Sequence, residues 1–250
     1  MEQQSVTDLG MPQAPVDTRT VPPLTEATRR EAREIMARYP RSRSALLPML
    51  HLVQSVQGYV SPDGIRLCAE ELDLTKAEVG AVATFYTMYR RRPAGTYHLG
   101  VCTNTLCAVL GGDAILAAVK EQLGIGHNET TADGVISLEH LECNAACDYA
   151  PVVMVNWEFY DDQTPASAGE LVDALRAGTP PPPTRGPERL STFTQVSRVL
   201  AGFPDGLGQQ GVVGGHASLT GLSLAKERGD TAPAYPVSTN ADDTNAQELS

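Results

Sequence analysis

The sequence predicts an α+β protein: an N-terminal four-helix unit, then a small α/β domain, then a long irregular C-terminal tail. Apolar residues recur at helical spacing between residues 24 and 89. From residue 93, short strand-like stretches alternate with helical ones. After residue 180 the chain is rich in Pro, Gly, Ala, Ser and Thr. We therefore divide the chain into a disordered N-terminus, a helical domain, an α/β domain and an extended tail: residues 1–22, 23–92, 93–179 and 180–250.

Capping residues mark the ends of the predicted helices. Ser and Thr residues, which accept hydrogen bonds from the first backbone N–H groups of a helix, precede all four helical stretches: Thr25, Ser44, Ser61 and Thr75. Glu78 lies three residues after Thr75, which is the spacing of a capping box. Gly58 is expected to end the second helix in a left-handed conformation.

The α/β domain is predicted from the order of its elements. Strands are expected in "TYHLGV", "GVISLEHLEC" and "PVVMVNWEFYDD", the last with a turn near Asn156 that would make it a hairpin. Helices are expected in "GGDAILAAVKEQLG" and "SAGELVDALRAG". This order predicts a small sandwich of thioredoxin type.

The C-terminal tail has two possible interpretations. Its first part, "TPPPPTRGP", is a stiff spacer. The later apolar stretch "LSTFTQVSRVLAGF" is capable of packing against another surface. The tail is therefore either disordered or an arm that docks on a partner subunit.

The net charge of −11 is concentrated in one region. Residues 93–180 contain two Lys or Arg and twelve Asp or Glu. Such a surface repels phosphate backbones and argues against nucleic-acid binding. It either serves solubility or lowers the potential of a redox centre. No apolar run is long enough to cross a bilayer, and the N-terminus lacks the apolar core of a secretory signal, so we expect an intracellular protein.

Four of the five cysteines form two pairs, each directly after a predicted strand. Cys102 and Cys107 are spaced C-x4-C, and Cys143 and Cys147 are spaced C-x3-C. If the two strands are parallel neighbours, their carboxyl ends bring both loops together. Four thiolates suit either a tetrahedral zinc ion or a 2Fe–2S cluster, and the spacing alone favours the cluster modestly. Disulfide pairing is a third and weaker alternative in an intracellular chain. Backbone N–H groups of residues 103–105 and 144–146 are expected to donate to the sulfurs.

The remaining candidates for site residues are weaker. Cys68 falls in the middle of a predicted helix and is expected to be a small core residue. His98 lies inside a strand and is expected to be a packed or a surface histidine rather than a metal ligand. No dinucleotide fingerprint follows a strand, so NADH, if it is involved, should bind another chain.

The stretches "VATFYTMY", "GTYHLGVCTNTLC" and "HLECNAACDYAP" resemble a family of thioredoxin-like 2Fe–2S proteins, the E subunits of bacterial NADH:quinone oxidoreductase (complex I). The resemblance runs from about residue 38 to 178 and includes the 35-residue interval between the cysteine pairs. It implies that the four paired cysteines bind one 2Fe–2S cluster: Cys102, Cys107, Cys143 and Cys147. Asn144 and Ala145 stand where the family often has Leu and Gly.

The resemblance also implies a place in a larger assembly. The cluster would exchange single electrons with FMN in a partner subunit that oxidises NADH, so this chain alone would have no complete active site. Other iron–sulfur subunits of the peripheral arm would be neighbours, and the membrane arm would be reached only indirectly, on the cytoplasmic face. The alternative is the equivalent diaphorase subunit of a NAD-linked hydrogenase or formate dehydrogenase.

Overall fold

The computed structural model describes residues 21–207 and 214–232. The predicted N-terminal disorder falls almost wholly outside these residues. Contacts divide the chain into two compact units, Met1–Val213 and Gly214–Ser250. The first unit contains eight of the described α-helices and a five-stranded sheet, and the second contains one helix, α9 (His216–Arg228). None of the described helices is both long and apolar enough to span a bilayer.

The predicted four-helix unit forms. Its helices are α1 (Glu26–Met36), α2 (Leu46–Gln57), α3 (Pro62–Leu72) and α4 (Lys76–Phe85). The Ser61 hydroxyl accepts the Gly64 N–H at 2.9 Å, and Thr75 and Glu78 cap each other reciprocally, as the sequence predicts. Gly58 ends α2 at φ +76°.

One predicted cap was wrong. Ser44 lies inside a short 3₁₀ helix, Ser42–Ala45, and Ala45 is the residue that precedes α2. Arg41 is extended, with φ −121° and ψ 124°, so the helical turn begins at Ser42, two residues before the serine that was predicted as the cap. Helix α2 lies at the centre of the helical core, with Met49, Leu50, Leu52 and Val53 fully buried.

The sheet has the strand order β2-β3-β1-β4-β5. Its strands are β1 (Tyr97–Cys102), β2 (Glu129–Thr130), β3 (Ile136–Leu141), β4 (Val153–Val155) and β5 (Glu158–Tyr160). Strands β1 and β3 are parallel neighbours, and the other pairs are antiparallel. The hairpin turn predicted near Asn156 is confirmed, because Asn156 and Trp157 both have positive φ between β4 and β5. The two-residue strand β2 was not predicted.

Helices α6 (Gly112–Leu123) and α7 (Pro165–Arg176) pack on the sheet face that carries Leu99 and Val101. The short helix α5 (Thr105–Val109) precedes α6. The alternation of side chains along β1 therefore places His98 and Cys102 on the opposite face.

The C-terminal tail differs from the expected irregular chain because two helices form in it. Helix α8 (Phe193–Leu200) packs against α2 of the same chain. Phe193 is buried, the Gln54 amide donates to the Ser197 hydroxyl at 3.2 Å, and Arg198 pairs with Glu31 at 2.7 Å. The apolar stretch therefore forms a helix that packs on its own chain, which corrects the interpretation of this segment as disordered.

A buried asparagine ties the start of this segment to the sheet. The Asn156 side chain accepts the His98 N–H at 2.7 Å and donates to the Ser191 carbonyl at 2.8 Å. The Phe193 N–H donates to the Thr96 carbonyl at 2.9 Å. The segment around residues 191–203 thus contacts both the helical unit and the sheet.

Candidate metal centre

The parallel pairing of β1 and β3 brings the two cysteine loops together. Cys102 is the last residue of β1 and pairs with Leu141, the last residue of β3. Cys107 lies on α5, and Cys143 follows β3 by two residues. Cys147 begins a 3₁₀ turn, Cys147–Tyr149. The prediction that parallel neighbouring strands deliver both loops to one edge is confirmed.

The first cysteine pair is buried, and its two sulfurs are neighbours. Cys102 and Cys107 are each 2% exposed, and their side chains are hydrogen-bonded to each other. Burial raises the pKa of Cys107 to about 11, against a hydrogen bond from the Val152 backbone. The Val152 carbonyl also accepts the Cys102 N–H at 3.2 Å. The backbone of Val152 therefore forms hydrogen bonds to both cysteines of this pair. The sequence pattern did not identify Val152 as a residue of the site.

The second pair is exposed and lies within electrostatic reach of the first. Desolvation, the neighbouring Cys143 thiol and, less strongly, Cys102 and Asp148 raise the pKa of Cys147. Cys143 and Cys147 are hydrogen-bonded to each other, and the Ala145 N–H donates to the Cys143 sulfur at 3.4 Å. Ala145 is one of the six predicted backbone donors.

Three contacts connect the end of β1 and the loop after it to the end of β3 and the residue that follows it. The Thr103 hydroxyl lies 2.5 Å from His140 Nε2, and the Cys102 thiol donates to the Glu142 carbonyl at 3.4 Å. The Thr103 N–H reaches the Leu141 carbonyl at 3.4 Å. The loop after β1 is thereby fixed against the end of β3.

A glycine allows α6 to begin against the first loop. A Cβ atom at Gly112 would lie 2.5 Å from the Cys102 carbonyl oxygen and 2.9 Å from that of Cys107. Because both neighbours are backbone atoms, they are unable to rotate away. The "GG" at residues 111–112 was visible in the sequence, but only the close approach explains why a side chain is excluded.

The four sulfurs form two hydrogen-bonded pairs, Cys102 with Cys107 and Cys143 with Cys147. All five cysteines of the chain are free thiols. A 2Fe–2S cluster takes two cysteines at each of its two iron atoms, and the two sulfur pairs match this requirement.

The other two candidates are placed as predicted. Cys68 is fully buried in the helical core, where burial raises its pKa to about 12. His98 packs inside the sheet domain with Nε2 2.6 Å from Glu139 Oε2. Burial lowers the pKa of His98, although the bond to Glu139 opposes that effect.

Three apolar side chains are exposed beside the buried cysteine pair. They lie on α5 and directly after it, and they are 42%, 77% and 53% exposed: Leu106, Val109 and Leu110. We refer to these three residues as the α5 patch. Apolar side chains clustered on a surface mark a binding face more often than isolated ones do.

The profile of the thioredoxin-like 2Fe–2S ferredoxin family matches residues 32–176. The chain belongs to this family. The family description names a 2Fe–2S cluster, which confirms the predicted cofactor and decides against zinc. The thioredoxin-like fold predicted from the order of strands and helices is confirmed as well.

Curated relatives of the chain are named as subunits of NADH-quinone oxidoreductase. The NADH-quinone oxidoreductase E subunit of Mycobacterium tuberculosis is 62% identical over 207 residues, which cover 82% of each chain. The E subunit of Rickettsia bellii is 40% identical over 148 residues, covering 58% of this chain and 89% of the relative. Subunit 2 of the Thermus thermophilus enzyme is 39% identical over 148 residues, covering 58% and 82%. The chain is thus a homologue of these E subunits and a component of an oxidoreductase complex.

A crystal structure of a NAD+-reducing NiFe-hydrogenase is also similar, with 21% identity and a TM-score of 0.49. The match covers 54% of this chain and 23% of the hydrogenase chain. The names of the curated relatives, and not this structural similarity, support the prediction of a complex I subunit over the hydrogenase alternative.

Proposed function

We propose that Cys102, Cys107, Cys143 and Cys147 bind one 2Fe–2S cluster, and that this chain transfers single electrons within an NADH:quinone oxidoreductase. The observation that carries the proposal is the meeting of two cysteine pairs at the carboxyl ends of adjacent parallel strands. When bound, the cluster supplies a group that accepts and releases one electron at a time.

The protein's own residues prepare this site in two ways. The backbone of Val152 and the N–H of Ala145 bond to sulfur atoms, which stabilises negative charge on those sulfurs. The loop contacts of Thr103 and Glu142 fix the spacing of the two pairs before a cluster is inserted. A preformed site loses less conformational entropy when it binds its cofactor.

We further propose that the α5 patch docks on the partner subunit that binds FMN and NADH. The three exposed side chains of the patch flank the Cys107 site, and electron exchange requires the two redox groups to be close. In this proposal, the other neighbours of the chain are the remaining iron–sulfur subunits of the peripheral arm, which lies on the cytoplasmic face of the membrane. Within this assembly the chain reaches the membrane arm through other subunits and not by direct contact with lipid.

The cluster is tested by purifying the chain without oxygen and measuring iron, sulfide and the electron paramagnetic resonance (EPR) of the dithionite-reduced form. We expect two iron and two sulfide per chain and one rhombic spin-half signal. Stoichiometric zinc with neither iron nor sulfide would overturn the proposal.

The docking surface is tested with Val109→Asp/Leu110→Asp in the complete complex. We expect this variant to retain its EPR signal but to co-purify poorly with the FMN subunit, because two carboxylates would have to be buried at the interface. The matched control is Leu222→Asp/Leu224→Asp on α9, whose leucines are exposed to a similar degree. Full assembly of the α5 variant, or equal losses in both variants, would contradict the proposed surface.

A further inference from the structure

The chain after α7 returns to the edge of the sheet and places an arginine beside the second ligand loop. Arg185 forms an isolated antiparallel bridge with Phe159 of β5. The neighbouring Thr184 N–H donates to the Phe159 carbonyl at 2.9 Å, and the Thr184 hydroxyl accepts the Asp161 N–H at 3.1 Å. The backbone on this side of Arg185 is therefore anchored. The position lies beyond residues 32–176, which the family profile matches.

The guanidinium of Arg185 is held on several sides. It pairs with Asp161 at 2.7 Å and with Asp148 at 3.5 Å. It also lies over two aromatic rings, 5.5 Å from the centroid of Tyr149 and 4.8 Å from that of Phe159. The side chains of Arg185, Asp148 and Asp161 are only 15%, 24% and 10% exposed, so these charges are weakly screened by solvent.

Two of these partners belong to the turn that carries Cys147. Asp148 and Tyr149 follow Cys147 directly in the 3₁₀ turn Cys147–Tyr149. Asp148 is the next residue after Cys147 in this turn, so its carboxylate lies beside the second cysteine pair. The Tyr149 carbonyl is bound in turn by the Asp162 N–H at 2.9 Å. A cation that neutralises Asp148 therefore changes the electrostatic potential at the Cys147 sulfur.

We propose that Arg185 is a positioning residue that holds the Cys147–Tyr149 turn and, as the counter-charge of Asp148, raises the reduction potential of the 2Fe–2S cluster. This inference rests on the proposed function, because it requires the cluster to be bound by Cys147 and its three companions. Reduction adds one negative charge to the cluster, and a carboxylate without a counter-charge nearby opposes it. Arg185 therefore compensates locally for the acidic character of residues 93–180.

The charge effect predicts potential shifts of opposite sign. Arg185→Met leaves Asp148 and Asp161 without this cation, so the cluster potential is expected to become more negative. Asp148→Asn removes the carboxylate while Arg185 stays paired with Asp161, so the potential is expected to become more positive. Combining both substitutions is expected to give a potential between those of the single variants. A role confined to loop rigidity would not give shifts of opposite sign.

The experiment is a potentiometric EPR titration of the purified full-length chain, with Arg198→Met as the matched control. Arg198 likewise pairs with a carboxylate, Glu31 at 2.7 Å, and lies 4.4 Å over the Phe203 ring, but it contacts the helical unit. We expect Arg198→Met to have the wild-type potential. Shifts of the same sign in Arg185→Met and Asp148→Asn, or no difference between Arg185→Met and the control, would overturn the inference.

If Arg185→Met fails to retain the cluster, the inference is tested with the variants Arg185→Lys and Asp148→Asn. Lysine keeps the charge but loses the planar stacking on the rings. A near-wild-type potential in Arg185→Lys together with a more positive one in Asp148→Asn supports the inference, and an unchanged potential in Asp148→Asn overturns it. A wild-type chain without iron and sulfide would instead overturn the proposed function itself.

Discussion

The helical unit and the sheet domain each contain buried cysteine, but they use it differently. Cys68 and Cys107 are 0% and 2% exposed, and burial raises the pKa of both thiols. Cys68 is surrounded by the apolar side chains of the helical core. Cys107 has Cys102 beside it, a backbone hydrogen bond from Val152, and Cys147 within electrostatic reach. Burial alone therefore does not distinguish the proposed ligand Cys107 from the core residue Cys68, whereas the neighbouring sulfurs do.

The largest effect expected from this comparison is loss of the cluster in Cys107→Ser. A serine hydroxyl replaces the thiolate that iron requires, so the iron, the sulfide and the EPR signal should all be lost or severely depleted. Circular dichroism should show that the helices persist, since the helical core is separate from the site.

Cys68→Ser is the matched control for that variant. It should keep the cluster but lower the free energy of unfolding by about 1–3 kcal/mol, because a hydroxyl replaces a thiol in an apolar core. A cluster lost equally in both variants would mean that the two buried cysteines are not distinguished by their neighbours.

A second prediction concerns the two helices in the tail. Phe193→Ala should lower the free energy of unfolding by about 3–5 kcal/mol, because Phe193 of α8 is 1% exposed and contacts Trp157 and His98. Leu222→Ala on α9 should change it by less than about 0.5 kcal/mol, since Leu222 is 53% exposed. Urea unfolding measures both. Equal small effects would show that α8 does not stabilise the fold.

A third prediction, with a smaller effect than Phe193→Ala, is a pH dependence that comes from the helical core. Burial lowers the pKa of His51 from 6.5 to about 4. Because the folded-state pKa lies below the unfolded one, the stabilisation is present above pH 6.5 and is lost as the pH falls from 6.5 towards about 4.

His51→Leu removes this titration. Between pH 7.5 and pH 5, the wild type should lose about 2 kcal/mol more unfolding free energy than His51→Leu does. Chemical denaturation followed by circular dichroism measures the difference. Parallel pH profiles in the two proteins would contradict the assigned role of His51, whose ring lies 4.8 Å from that of Tyr89.

Local features of the fold were predictable because their signals lie within a few residues of one another. The helix caps use contacts between residues no more than four positions apart, and they are formed by Ser61, by Thr75 with Glu78, and by Gly58. Asn156 marked the hairpin turn because asparagine tolerates positive φ. The prediction of Ser44 as a helix cap was wrong because Ser44 lies inside a 3₁₀ turn that precedes the buried helix α2.

Contacts between distant residues were not predictable in the same way. Strand β2 has only two residues and depends on its pairing with β3. Helix α8 has a clear apolar face, but the sequence does not indicate that α2 covers it rather than a partner. Val152 hydrogen-bonds to Cys107, which lies 45 residues earlier in the chain, and Arg185 pairs with Asp148, which lies 37 residues earlier. Neither Val152 nor Arg185 belongs to a recognisable motif.

Spacing, capping and periodicity are properties of neighbouring residues, and from them the sequence predicted the two cysteine pairs, the N-terminal helices and the thioredoxin-like order of elements. The fold alone showed that the four sulfurs meet as two pairs, that α8 packs on its own chain, and that Arg185 pairs with Asp148 of the Cys147–Tyr149 turn. These features depend on strand order and on where a long connection returns. Such long-range contacts are selected by the free energy of the whole fold and not by any local pattern.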